Sequence, residues 1–163
     1  MSRLQSFVDR VLRAEVIKGT ADQYMKCWWL LALPGERRVY LHKFVGSDWS
    51  RDLHDHPKWF VSIGLWGGYV EEYARVKRLN LGRYSFRFRM IKARRRWTAP
   101  WIRFFPATHI HRLRVNRKRP CWTIVITGRV SREWGFWSED KTEDLIVDWI
   151  PWHTYITRHG IEE

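Results

Sequence analysis

Between Tyr24 and Thr127 the chain is a succession of short apolar runs of period two, punctuated by glycine and proline. Residues 24–33 are aromatic and aliphatic and stop at Pro34-Gly35, which predicts a hairpin with residues 37–45. Further strands are predicted over 59–65, 69–76, 84–91, 101–105, 109–115 and 122–127. No helical stretches alternate with them, so the pattern suits a sandwich or barrel better than an α/β sheet. One stretch has another period. Phe7, Val8, Val11, Leu12, Val16 and Ile17 recur at helical intervals, with Ser6 as cap and Gly19 as stop. Residues 1–20 are therefore expected to form a helix packing on the outside of a β domain that spans 21–163. A chain of 163 residues fits one such domain with a real core.

Alternation assigns faces. Tyr84, Phe86, Phe88 and Met90 point one way, to the core, and Arg87 and Arg89 the other, to a wet cationic face. The run Lys92-Ala93-Arg94-Arg95-Arg96 is expected just beyond, in a loop towards Trp101. The formal net charge is +13, and no Asp or Glu occurs between Glu72 and Glu133. A stretch so basic must be neutralised by another part of the fold, by counterions or by a ligand. Arg87, Arg89, Arg94, Arg95 and Arg96 are the candidate anion-binding residues, and a nucleic acid or an acidic protein is a candidate partner; a merely solvated positive face is the equal alternative. Aromatics beside arginines could stack bases, but the twelve tryptophans read better as packing in a small β core. Cys27 and Cys121 are too few for a disulfide framework and sit in apolar runs, so both are expected in the core of a protein from a reducing compartment, the cytoplasm. No apolar run reaches the length of a membrane span, and no membrane partner is expected.

The candidate chemistry lies in histidines. In Leu53-His54-Asp55-His56-Pro57 two imidazoles spaced i, i+2 on an extended segment share a face, while Asp55 points away, to a supporting role or to solvent. About fifty residues later, Pro106-Ala107-Thr108-His109-Ile110-His111 repeats the spacing. At these residues, over roughly 39–127, the chain resembles the cupin superfamily, small double-stranded β-helix or jelly-roll barrels. His54 and His56 fill the two histidine slots of the family's first motif, and Gly67 or Gly68 its closing glycine. Its glutamate slot falls on Phe60 or Val61 and its leading glycine slot on Asp48, with Gly46 close by. Pro106 and His111 match the second motif, where Thr108 replaces a glycine. The missing glutamate resembles the thiol dioxygenase branch, in which three histidines hold iron. Residues 132–137, with 149–152 behind them, look like small cupins encoded in phage and prophage genomes.

The resemblance implies a mainly β barrel with a metal held by His54, His56 and His111, with His109 either a fourth ligand or a group above the site. His42 either lines the same cavity or is a core histidine; His153 and His159 have no assigned role. Iron(II) is the favoured ion, with zinc, nickel or manganese as alternatives, and an oxygenase acting on a small or anionic substrate is the implied activity. Neutral imidazoles leave the ion its full charge, which suits an anionic ligand. The alternatives are a non-catalytic cupin binding a nucleotide or sugar phosphate, and a basic interaction module. A homodimer is implied by the resemblance alone.

Overall fold

The computed structural model describes residues 14–18, 23–48, 50, 52–80, 86–139 and 147–159. In chain order these form β1 (Ala14–Lys18), β2 (Gln23–Leu33), β3 (Arg37–Phe44), β4 (Leu53–His54), β5 (Phe60–Trp66), β6 (Gly68–Asn80), β7 (Phe86–Thr98), β8 (Trp101–Phe105), β9 (Ile110–Arg114), β10 (Cys121–Thr127), β11 (Gly135–Glu139), β12 (Val147–Pro151) and α1 (Trp152–His159). The strands pair antiparallel in two six-stranded sheets. The first runs β1-β2-β3-β10-β5-β8 and the second β12-β11-β4-β9-β6-β7. The mainly β barrel-like architecture expected from the alternating pattern is what the chain adopts.

The punctuation residues do what their chemistry allows. Leu33 pairs with Arg37 across a three-residue turn in which Gly35 and Glu36 both have positive φ, 73° and 59°. The chain crosses from the first sheet to the second at Gly67, φ 74°, where a Cβ would stand 2.3 Å from the Pro120 carbonyl oxygen. Only glycine fits there. The Ala99 amide donates to the Gly67 carbonyl, 3.0 Å, so the β5–β6 and β7–β8 crossings lie side by side. Between the sheets sits a core of Met25, Phe44, Tyr69, Trp101, Leu113 and Cys121. Cys27 and Cys121 are both buried free thiols, as expected.

Three expectations change. Residues 14–18, read as the end of a helix, form β1 on the edge of β2, with Val16 opposite Lys26. Their helical spacing lost to the β2 edge, whose backbone groups satisfy those of a β-branched Val-Ile pair. The rest of that expected helix, residues 1–13, lies outside the described residues. The basic run 92–96 is not a loop but part of β7, which continues to Thr98 because no turn-forming residue intervenes before Pro100. On that strand Met90 is buried as expected, whereas Phe88 is 40% exposed. Nor do all tryptophans pack inside: Trp28, Trp101 and Trp122 are buried, and Trp66 is 73% exposed.

The first sheet has an unusual outer face. The registers align Ile102, Ile63, Ile124 and Leu41 in one cross-strand row, and Phe104, Val61, Ile126, Val39 and Leu31 in the next. An antiparallel sheet with one face on the core ordinarily gives the other to polar residues. Here Ile102, Phe104 and Leu31 are 76%, 62% and 54% exposed.

Candidate metal centre

The two histidine motifs meet because their strands are neighbours. β4 is only two residues long, and its His54 stands directly opposite His111 of β9. The His56 amide donates to the Ala107 carbonyl, 3.0 Å, which draws the following loop against the second motif. Asp55 points away from both histidines, as alternation requires, but it neither faces solvent nor joins the site. Its fully buried carboxylate accepts from the Gly135 amide (2.8 Å), Arg132 (2.8 Å), and the indoles of Trp137 and Trp149 (both 3.1 Å). One carboxylate thereby ties β4 to β11 and β12, and fixes the orientation of the imidazoles on either side of it. The C-terminal tryptophans belong to this anchor.

The rings of His54, His56 and His111 form a near-equilateral cluster, with centroids 5.1, 5.3 and 5.0 Å apart. One ring nitrogen from each falls within 4.8 Å of the others, a set able to hold a metal ion. Nε2 of His56 and Nε2 of His111 face each other at 2.8 Å. Two lone pairs at that distance repel unless a proton or a cation lies between them. Ligands about 2.1 Å from one ion stand roughly 3–3.4 Å apart, a small relaxation from this contact. Burial lowers the pKa of all three, His111 to about 4 and His56 well below its ordinary value, so neutral imidazoles with free lone pairs are the resting state.

The residue that composes the site and that motif reading missed is Glu71. It is fully buried on β6, and its Oε1 takes hydrogen bonds from His111 Nδ1 (3.1 Å) and His109 Nε2 (2.7 Å). Arg103 (2.5 Å) and the Trp97 indole (3.0 Å) hold Oε2. Burial by itself would raise the carboxyl, but the hydrogen bonds from His109, His111 and Arg103 outweigh it and keep Glu71 ionised far below the usual carboxylate range. With Nδ1–H directed at Glu71, His111 presents bare Nε2 to the cluster, the arrangement that a ligating histidine requires. The signal in the sequence was faint: Glu71 alternates with Tyr69 and Tyr73 on an inner face at the very start of the stretch without carboxylates.

His109 is thus placed behind His111 rather than within the trio. Glu71, His109 and His111 are themselves close enough to chelate, but the Arg103 guanidinium already neutralises that carboxylate. His42 lines the cavity on the opposite wall. His153 and His159 lie on α1, where His159 Nδ1 bonds the Tyr155 carbonyl at 2.9 Å. Among the described residues, none of the candidate anion-binding arginines lines the histidine cavity. Arg94 pairs with Glu72 (2.8 Å), Arg95 lies 4.3 Å over the Trp97 ring, Arg89 and Arg96 are exposed on β7, and Arg87 belongs to the same strand.

The histidine trio opens into a cavity of about 340 Å³ between the sheets, walled mainly by apolar side chains such as Met25, Phe44, Phe60 and Leu113. Other polar groups of the lining are few: Tyr24, Ser62, Thr123 and Thr127, with Lys58, and Asp48, whose carboxylate accepts from the Leu113 amide on β9 at 2.7 Å. The hydroxyls of Thr123 and Thr127 are buried without a hydrogen-bond partner. Burial lowers His42 to about 4, against an unfolded value near 6.5, so the unfolded chain binds the extra proton between these pH values. The stability from neutral His42 is complete above about pH 6.5 and is lost, to the extent of about 3 kcal/mol, as pH falls to about 4. Urea unfolding of metal-free protein at pH 7.5 and 4.5 measures this loss. In His42→Asn it shrinks; a loss of the same size in that variant places the acid sensitivity elsewhere.

No protein-family model matches the sequence, and neither does any curated protein. Solved structures do match the fold. A cupin 2 conserved barrel domain protein from Rhodopseudomonas palustris superposes with a TM-score of 0.54 at 14% identity, over 80% of this chain and 80% of that one. A cupin-2 domain protein of Rhodospirillum rubrum gives a TM-score of 0.53 at 13% identity, over 78% and 76%. A DMSP lyase of Ruegeria pomeroyi gives 0.51 at 17% identity, over 79% of this chain and 62% of that one.

Proposed function

We propose that this chain, built on the cupin fold, is a metal-dependent enzyme whose ion is held by His54, His56 and His111. The observation that carries the reading is the convergence of three neutral imidazoles, two from one motif and one from the other, at the wall of a largely apolar cavity. A divalent ion bound there supplies undiminished positive charge and open coordination positions; iron(II), the favoured ion, adds one-electron chemistry with dioxygen, and zinc, nickel and manganese remain the alternatives. The chain's own residues do the rest. Glu71 holds the proton of His111 on Nδ1. Phe60 and Phe105, stacked at 4.6 Å beside the trio, keep water out. The unpartnered Thr123 and Thr127 hydroxyls are donors for substrate oxygens, and Lys58, the one Lys or Arg of the lining among the described residues, is offered to an anionic group. The volume suits a small molecule.

Elemental analysis of protein purified without a histidine tag tests the proposal, with about one equivalent of metal per chain expected. A preparation that stays metal-free after anaerobic iron loading overturns it. Metal without oxygen consumption across small carboxylates and thiols favours the alternative, a cupin that binds a ligand without turning it over.

The same reading includes a homodimer across the outer face of the first sheet. The two apolar rows carry no charge, whereas the chain as a whole is +13, so they are where two like-charged copies can meet. Five strands about 4.8 Å apart make a face roughly 20 Å wide. Sedimentation velocity at tens of micromolar is expected to give a dimer, and Ile102→Lys/Phe104→Lys a folded monomer. A monomeric parent protein refutes the arrangement.

A further inference from the structure

β9 pairs with β6 only over Val70–Ala74. Beyond Ala74, β6 has β7 alone as its ladder partner, in the register Arg75↔Ile91, Val76↔Met90, Lys77↔Arg89, Arg78↔Phe88 and Leu79↔Arg87. The two strands therefore leave the body of the sheet as a ribbon. Its two faces differ in kind. Met90 is buried and Val76 packs with it against Leu53, Ala74 and Ile110, so this face is tied to the protein. The opposite face presents Arg75, Lys77 and Arg89, all exposed, beside Ile91 at 45% exposure. Arg87 follows two positions along β7.

Lys77 and Arg89 stand directly opposite each other. Like charges at facing positions of an antiparallel pair are destabilising, and a fold gains nothing from keeping them unless an anion comes between or over them. The ribbon supplies no anion of its own: neither strand, nor the segment joining them, contains an Asp or Glu between Tyr73 and Trp97. Backbone positions two residues apart on a strand are about 6.7 Å apart, and facing strands about 4.8 Å, so Arg75, Lys77 and Arg89 form one compact cluster of positive charge. A single small anion would neutralise one position. A polyanion with regularly spaced charges neutralises them all.

We infer that the β6–β7 ribbon is a binding surface for duplex DNA. A two-stranded antiparallel ribbon is narrow enough for the roughly 12 Å major groove, and cations on its exposed face reach the phosphates on either side. The buried face of Val76 and Met90 holds the ribbon stiff, so little ordering cost accompanies binding. The surface is separate from the histidine cavity: none of Arg75, Lys77 or Arg89 lines it, and neither reading depends on the other.

The test is fluorescence anisotropy of the full chain with a labelled 20-base-pair duplex, over a series of salt concentrations. Arg75, Lys77 and Arg89 together give a slope of log affinity against log salt of about −2.7. Lys77→Ala/Arg89→Ala is expected to weaken binding at least tenfold and make the slope shallower by about 2, while the melting temperature stays level or rises because a repulsive pair is gone. Lys77→Glu serves as the second variant. It replaces the repulsion by a facing ion pair, and is expected to melt no lower than the parent while losing the duplex. The inference is overturned if the parent binds no duplex at about 50 mM salt, if either folded variant binds as the parent does, or if single strands or phosphatidylserine vesicles bind as tightly as the duplex.

Discussion

His56→Ala leaves the protein folded and without metal: bound ion falls from about one equivalent to below a tenth, while the unfolding midpoint of the metal-free form changes little. His56 is half-buried at the cavity wall, so its removal costs little packing, but it takes away one of three ligand nitrogens. Glu71→Gln grades the same effect. Glutamine keeps the shape of the side chain yet not the charge that holds His111 with its proton on Nδ1, and such supporting partners are worth about 10–100-fold in metal affinity. Competition with a chelator measures both. Metal content unchanged in His56→Ala removes the trio as the ion's site. If instead Glu71→Gln binds as the parent does, the tautomer of His111 is set some other way.

Asp55→Ala has the largest expected effect on stability. It leaves the buried Gly135 amide and the half-buried indole N–H groups of Trp137 and Trp149 without their acceptor, and Arg132 with only the Ala107 carbonyl. Buried donors left unpaired cost about 1–3 kcal/mol each, so the sum is on the order of 5 kcal/mol, a large part of what a domain of this size possesses. β4 then keeps only its backbone pairing with β11, and His54 and His56 lose their fixed orientation, so metal retention fails together with stability. Chemical denaturation of Asp55→Ala and of the milder Asp55→Asn gives the number. A cost below about 1 kcal/mol in the alanine variant means that the four donors find other acceptors.

Apart from the two-residue β4, the strands from β2 to β10 were legible because each begins as a run of period two bounded by residues with turn chemistry, such as Pro34-Gly35 and Gly67-Gly68. β1 was not, since Val16 and Ile17 fit a helical stripe as well as a strand, and only the free edge of β2 decides between them. The extent of β7 was equally hidden. A run of arginines carries no periodicity, and it is the thirteen-residue ladder with β6 that keeps it extended. β11, β12 and α1 left only the weak imprint of clustered tryptophans, whose partner, Asp55, lies eighty residues earlier in the chain.

For the site, the division is similar. Histidines at i, i+2 share a strand face whatever the fold, so the pairing of His54 with His56, and the outward turn of Asp55, follow from local geometry alone. Which histidine of the second motif completes the cluster depends on register, a property of two strands, and the register sets His54 opposite His111. His109 and Glu71 take their places for the same reason, through the β6–β9 ladder that puts Tyr73 opposite His111 and Glu71 opposite Leu113. The amino-acid order by itself determined an alternating β domain, two sets of imidazoles and an uncompensated basic stretch. Tertiary structure decided which imidazoles converge, which carboxylate steers them and where the positive charge is displayed. Those depend on residues far apart in the chain, whose separation only strand pairing can cancel.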